Sequence, residues 1–528
     1  MQIKLLIKTN IKGVKMNKGN IKISMAAAAL LSMGTSAVAG GEIVPVEPMA
    51  APIKAKSDVK RTLKGNMVVV DHIVPGSVDS IREMFAEGIF YGRLRSNTFY
   101  WDWGDEDYAT GGKRKDNKNM GVGGSLIYKS AVLNGFSGTV GYYGSLNPEF
   151  FRMDDDEVGY AKAGKDTFSR HKVDTTGAYG MHVLGQAYLE YNNGTADVKA
   201  GRQLFESVFT ASNDTKMVPN TFDGVTVSAK VAPKTTARAA WFAKQKLRDH
   251  ENAHDVITFK NADGESWDNN DDAGVHKGLN YANFIAAGED ANHDMFLADV
   301  KTKAIDNLDF TLSALTVPGI VTDVVAEGHY RFKLDNGWAV RPGARYFHQM
   351  DDGGGDVAGY TNLSGKTATG YDAGVATSLD SSLFAGRVDL EMPNKKGFFR
   401  LGYSKVADEA DIVAPWRGFP TGGFTRAMAQ YNWYANTETF MARAVYKFNS
   451  TWKASLRYAI QDFDDAKDNV QADSTIWHLD TWTNITKRLQ MRTRIGIVQA
   501  DDDIAKSLGG TKADVSYNEY RLEFNYLF

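Results

Sequence analysis

What most constrains this chain is the inequality of its connections. From residue 87 to the end, runs of about ten residues alternate apolar and polar side chains, the period-two mark of strands with unlike faces. About 18 such runs are expected, at 87–101, 119–129, 134–145, 182–192, 196–205, 223–231, 235–246, 295–302, 306–316, 322–334, 337–348, 382–392, 397–406, 437–448, 451–461, 474–484, 487–499 and 516–528. Every second connection is a tight turn: 130–133, 193–195, 232–234, 303–305, 335–336, 393–396, 449–450 and 485–486. Most of the others read as long, polar and acidic: 102–118, 146–181, 206–222, 247–294, 349–381, 407–436 and 500–515. Short turns on one side and long loops on the other predict an all-β fold, a transmembrane antiparallel barrel with short periplasmic turns and long extracellular loops.

The terminal stretch NEYRLEFNYLF shows the pattern at its cleanest. Tyr520, Leu522, Phe524, Tyr526 and Phe528 share one face, opposite Glu519, Arg521, Glu523 and Asn525. Across the chain the polar face carries too much charge for a dry core, since Arg341, Arg345, Arg387, Arg400, Arg443, Arg457, Arg492 and Arg494 would each need a partner if buried. In a barrel wide enough for an aqueous channel they face water. A soluble propeller would show a blade repeat, and no such period is found.

The N-terminus carries an export address. A lysine-bearing run to Lys22 precedes an apolar stretch, and Ala37-Val38-Ala39 supplies a small-x-small site, so residues 1–39 read as a signal peptide cleaved before Gly40. Those residues hold six lysines and no acid, so the net charge moves from −3 to −9 on cleavage, which argues against a nucleic-acid partner. Residues 40–86 read as a periplasmic leader, flexible at first, with one or two helical turns in VDSIREMFAEG. They are too few and too polar for a plug domain. Cysteine is absent, removing disulfides and thiol chemistry. Mean hydropathy is negative, which excludes a bundle of membrane helices.

Two motifs carry a resemblance. VKAGRQLFESVFTASNDTKMVPNTFDGVTVSAK (198–230) resembles the third-loop region of OprD-type outer-membrane porins through Gly201, Arg202, Asn213, Asp214, Pro219, Thr221, Phe222 and Gly224, departing at Lys216, where arginine is commoner. IVAPWRGFPTGGFTRAMAQYNWYANT (412–437) resembles the Campylobacter-type major outer membrane protein branch of that superfamily. The resemblance implies an 18-stranded barrel, a homotrimer, and a third loop folded inward to narrow the pore.

The expected function is passive diffusion of small hydrophilic solutes and ions, with outer-membrane lipid and lipopolysaccharide as surroundings and no enzymatic activity. The 206–222 loop would form the eyelet, with Glu206, Asn213, Asp214 and Lys216 as its site residues, facing an arginine wall. Asp214 and Lys216 pairing merely to shape the loop is an equal alternative. Arg93 and Arg95 share a lumenal face with Asn97; Arg341, Arg345, Arg387, Arg400, Arg443, Arg457, Arg492 and Arg494 complete the wall. Residues 247–294 hold eleven acids and three Lys/Arg, so the mouth gathers cations while the eyelet arginines would favour anions; the weak cation lean is what the family resemblance implies. HENAH (His250, Glu251, His254) fits a zinc-protease spacing but follows a strand, with no apolar helical face to bury it. A loosely bound Ca²⁺ among loop carboxylates, in DNNDDAG (268–274) or Asp154–Glu157, is set against a default of solvated acidic loops. The rival function is a barrel serving as adhesin or structural protein.

Overall fold

A computed structural model describes residues 61–65, 67–73, 75–162, 165–258, 276–358, 378–468, 470–506 and 509–528. The proposed signal peptide and the DNNDDAG stretch lie outside the described residues. Eighteen strands form one closed antiparallel barrel. They are β1 (Ile89–Trp103), β2 (Asn117–Lys129), β3 (Phe136–Leu146), β4 (Met181–Asn192), β5 (Ala196–Gln203), β6 (Thr221–Ala232), β7 (Thr235–Lys246), β8 (Met295–Thr302) and β9 (Leu308–Val317), followed by β10 (Val321–Tyr330), β11 (Ala339–Asp351), β12 (Ser381–Glu391), β13 (Gly397–Val406), β14 (Glu438–Lys447), β15 (Trp452–Asp462), β16 (Ser474–Asn484), β17 (Leu489–Ala500) and β18 (Tyr517–Leu527). Each pairs with its chain neighbours, and β18 closes on β1 in a register running from Tyr517↔Trp103 to Leu527↔Arg93.

The faces are those of a membrane barrel. On β18, Tyr520, Leu522 and Tyr526 are exposed outward, while Glu519, Arg521, Glu523 and Asn525 are buried inside. Aromatic pairs gather at the short-turn rim, where Phe90 meets Tyr128, Phe136 meets Tyr191, and Tyr446 meets Phe448 at ring separations of 4.7–5.0 Å. Rings with one apolar and one wet side suit that lipid–water boundary. Short turns use left-handed residues: Asn134 and Gly135 have φ of 51° and 87°, as a two-residue hairpin turn requires.

Two expectations need correction. The 407–436 connection is not a polar acidic loop on the surface. It enters the lumen and buries Ile412, Val413, Trp416, Phe424 and Trp433. Its aromatic residues, with no acid between 412 and 437, explain why. The leader is also more ordered than its composition suggests. Residues Arg61–Leu63 and Val69–Asp71 pair as a hairpin, while the helical turns expected in VDSIREMFAEG are found at Ile81–Ala86, capped by Ser80, whose Oγ accepts from the Glu83 amide at 3.2 Å.

The lumen is thereby divided. Over β7–β13, loop residues such as Phe205, Phe209, Val256, Leu279, Phe284, Trp416 and Trp433 pack on inward wall residues Phe242, Leu297, Leu315, Val325, Phe347 and Leu383 as one apolar core. On the β14–β18 and β1 side a smaller apolar cluster, with Ala427 and Met428 of the 407–436 connection against Phe99, Trp101, Met441, Ala459, Ile476, Val498 and Tyr517, borders the polar space that remains.

Candidate functional site: an off-centre constriction

The inward loop spans residues 204–220, between β5 and β6. Apolar side chains root it: Phe205 meets Phe242 edge-on at 5.3 Å and Phe209 meets Phe347 at 5.8 Å. Met217 and Val218 pack with Ile127, Tyr143, Met181 and Val183. Glu206 accepts from the Ser212 amide at 2.8 Å and from its hydroxyl, so it braces the bend of the loop. Asn213 is left-handed, with φ 45°, and turns the tip.

The tip lands on the inward face of β1, where period two aligns Arg93, Arg95, Asn97 and Phe99. Asp214 lies 2.6 Å from Arg93 and 3.0 Å from Arg95. Arg95 also pairs with Glu523 on β18, and Asn97 Nδ2 donates to the carbonyls of Thr215 and Lys216 at 3.1 and 3.0 Å. The Lys216 ammonium sits 4.3 Å from the Phe99 ring centroid, and burial pulls its pKa down to about 7. Asp214 therefore docks on arginines directly, and its ion pairs run to β1.

The other sequence-selected arginines fall into three groups. Arg345 pairs with Glu327, and Arg387 and Arg400 with Asp389, at 2.6, 3.7 and 2.6 Å. All three also donate to the second inward loop, Arg345 to Pro420 and the other two to Gly423. Arg492 and Arg494 each lie 3.0 Å, and Arg457 3.9 Å, from Asp480, while Arg443 donates to Ser455. Arg341 pairs with Asp309 near the short-turn rim. Water-facing arginines are thus the wrong picture for Arg345, Arg400 and Arg492, each less than a tenth exposed, and the lumenal Arg93 and Arg95 are buried as well. Acids on neighbouring strands and the incoming loops take the place of water.

Those acids were missed from the sequence, yet a signal existed. Arg400 and Asp389, Arg494 and Asp480, and Arg345 and Glu327 are register partners directly opposite across a short turn. Opposite charges equidistant from a tight turn meet on one face. The second inward loop was missed too. Its Gly418 amide donates to the Phe209 carbonyl at 2.9 Å and its Trp416 carbonyl accepts from Ala211 at 3.0 Å, joining the two loops. The Trp416 indole donates to the Val256 carbonyl at 2.7 Å.

Between these loops and the β17–β18–β1 wall lies a cavity of about 340 Å³. Lys162, Lys216, Arg248, Arg426, Arg494 and Arg521 line it against two acids, Asp166 and Glu519, with Trp101, Trp103 and Tyr517 beside them. At the short-turn end a vestibule of about 1200 Å³ opens, rimmed by lysines. In the HENAH stretch, Glu251 pairs with Lys172 at 2.8 Å and accepts from the His182 amide, while the rings of His250 and His254 lie 5.1 Å apart. In the acidic run Asp154–Glu157, Glu157 pairs with Lys115.

A closed 18-stranded barrel, apolar outside and narrowed by inward loops, is a porin-type channel fold, and such a barrel resides in the outer membrane. The solved structures with this fold include OpdK of Pseudomonas aeruginosa (TM-score 0.60, 13% identity, 84% of this chain and 99% of that one) and OccAB4 of Acinetobacter baumannii (0.61, 14%, 84% and 98%). A BenF-like porin of Pseudomonas fluorescens Pf-5 is similar as well (0.59, 14%, 84% and 99%). At these identities the likeness is one of fold. No protein-family profile matches the chain, and no curated protein sequence does.

Proposed function

We propose that this chain is a passive channel for small hydrophilic solutes and ions, non-enzymatic and exported by a signal peptide comprising residues 1–39. The observation that carries this reading is the charge-lined cavity at the eyelet, which stays open beside the apolar core that fills the other side of the lumen. Assembly as a homotrimer and a place near the Campylobacter-type branch rest on the motifs at 198–230 and 412–437.

The sign of selectivity is a contest between two regions. The net acidic charge of residues 247–294 favours cations near the mouth, a pull that salt screens beyond ~8 Å at physiological ionic strength. The eyelet cavity carries six basic side chains against two acids and favours anions. Because a solute must shed water there, the eyelet sets the preference. Small carboxylates are the first solutes to try; OpdK has been solved with vanillate, and here aromatic and cationic side chains share one cavity. The test is single-channel recording in a planar bilayer under a salt gradient. Stepwise currents with an anion-side reversal potential support the reading. Silence from folded, heat-modifiable protein moves it to the adhesin.

A further inference from the structure

Below the eyelet a further piece of chain enters the lumen, from the N-terminal side of β1. The hairpin pairs Arg61↔Asp71 and Leu63↔Val69. Its open end is pinned by Arg61, 3.1 Å from Asp71 and 3.4 Å from the Phe90 carbonyl. Its turn is closed by Lys64 N donating to Val68 O at 2.9 Å and Met67 N to Lys64 O at 2.8 Å. Met67 is left-handed, φ 69°, and only 3% exposed. Its carbonyl accepts from Arg93 Nη1 at 2.7 Å, and the other Arg93 Nη holds Asp214. One guanidinium therefore ties the hairpin tip to the eyelet loop.

The tip stands on the route that the polar cavities mark out. Lys64, Gly65 and Met67 face Lys453, Trp482 and Arg492 across a cavity of about 340 Å³. Lys453 also lines the large vestibule at the short-turn end. Arg492 shares Asp480 with Arg494, which lines the eyelet cavity. Lys453 and the arginines that share Asp480 thus link the three cavities in turn, and the hairpin borders the middle one. Two strands of three residues are not stable alone in water, so contacts with the barrel hold them there.

We propose that this hairpin is a second constriction of the channel, a tethered stopper that narrows its periplasmic exit and is fastened to the eyelet through Arg93. The proposal rests on the channel reading above. Lys64 adds a cation beside Lys453 and Arg492, so the exit repels cations as well as narrowing the path.

The chain has no cysteine, and a Cβ added at Gly65 meets nothing within 4 Å, so Gly65→Cys introduces one clean, sterically free thiol. The variant is inserted into a bilayer and exposed to 2-sulfonatoethyl methanethiosulfonate or its trimethylammonium analogue. Expected is a stepwise loss of single-channel current in Gly65→Cys and none in the wild type, with the two adducts moving the reversal potential in opposite directions. Deletion of residues 61–71 should raise the conductance and lower anion preference. Complete labelling, checked by mass, with unchanged current overturns the proposal while leaving the channel intact. A thiol that fails to label in a conducting barrel overturns it too, because the tip is then off the aqueous path. A wild type that carries no current removes the channel reading, and the stopper with it.

Discussion

The Asp214 carboxylate, on a loop, sits 2.6 Å from the Arg93 guanidinium, on the first strand of the wall, and both side chains are sealed from solvent. This ion pair fixes how far the loop reaches across the lumen. Removing one partner of a buried pair typically costs ~3–5 kcal/mol, because the other charge is left uncompensated. In Asp214→Asn the β-sheet signal should survive, since the barrel closes independently of the loop. The tip should come loose. Single-channel recordings should then show larger, noisier currents shifted toward anions; a quiet, unchanged channel would mean the pair does not hold the eyelet.

Lys216 makes the eyelet sensitive to pH. Burial lowers its pKa to about 7, with Arg521 and Arg248 disfavouring the charge and Asp166 and Glu519 favouring it. The side chain is cationic below that pH and neutral above it. Anion preference should therefore rise as pH falls through about 7, and Lys216→Gln should flatten the profile of reversal potential against pH. The unfolded lysine titrates near ~10.4, so between about 7 and 10 the unfolded chain binds the extra proton and this group's contribution to stability increases with pH.

Where the two inward loops touch, there is no room for a side chain. A Cβ at Gly418 would lie 2.1 Å from the Phe209 carbonyl carbon, against backbone that cannot swing aside. Gly418→Ala should part the loops, widening the path while strand content is retained. Circular dichroism and conductance measured on the same preparation separate that outcome from general misfolding.

Trp416 anchors the second loop, being 1% exposed and bonded through its indole to Val256. Trp416→Ala should cost ~3–5 kcal/mol, as truncation of large buried aromatics does. Thermal melting in detergent measures the loss. A shift confined to tryptophan fluorescence, with the barrel transition unmoved, would show that the loop melts as its own unit.

Export is checked directly: the amino terminus of the protein recovered from outer membranes should be Gly40, read by mass spectrometry of its first peptide.

The barrel was legible because each strand separates two unlike environments. The run expected at 474–484 is β16, that at 397–406 is β13, and that at 295–302 is β8. Ends slipped where the alternation faded, as on β1, expected at 87–101 and found at 89–103. The interior was harder to read. An inward loop buries its apolar residues without a regular period, so the residues at 412–437 could be singled out while their direction could not. The terminal hairpin, three residues a side, is too short to show any period. Ion pairs across tight turns were within reach of the sequence. Arg238 with Asp299 was not, because a long loop separates their strands.

The closing register between β18 and β1 also sets an order of events. Arg95 meets Glu523, and Arg93 meets Asn525 at 3.3 Å, across a gap of more than four hundred residues. The arginines that receive the loop tip acquire these partners only when the eleven residues of β18 zip onto the first strand. A chain stalled before that step can have nearly all of its wall and none of its finished filter, so pore width becomes a readout of completed assembly.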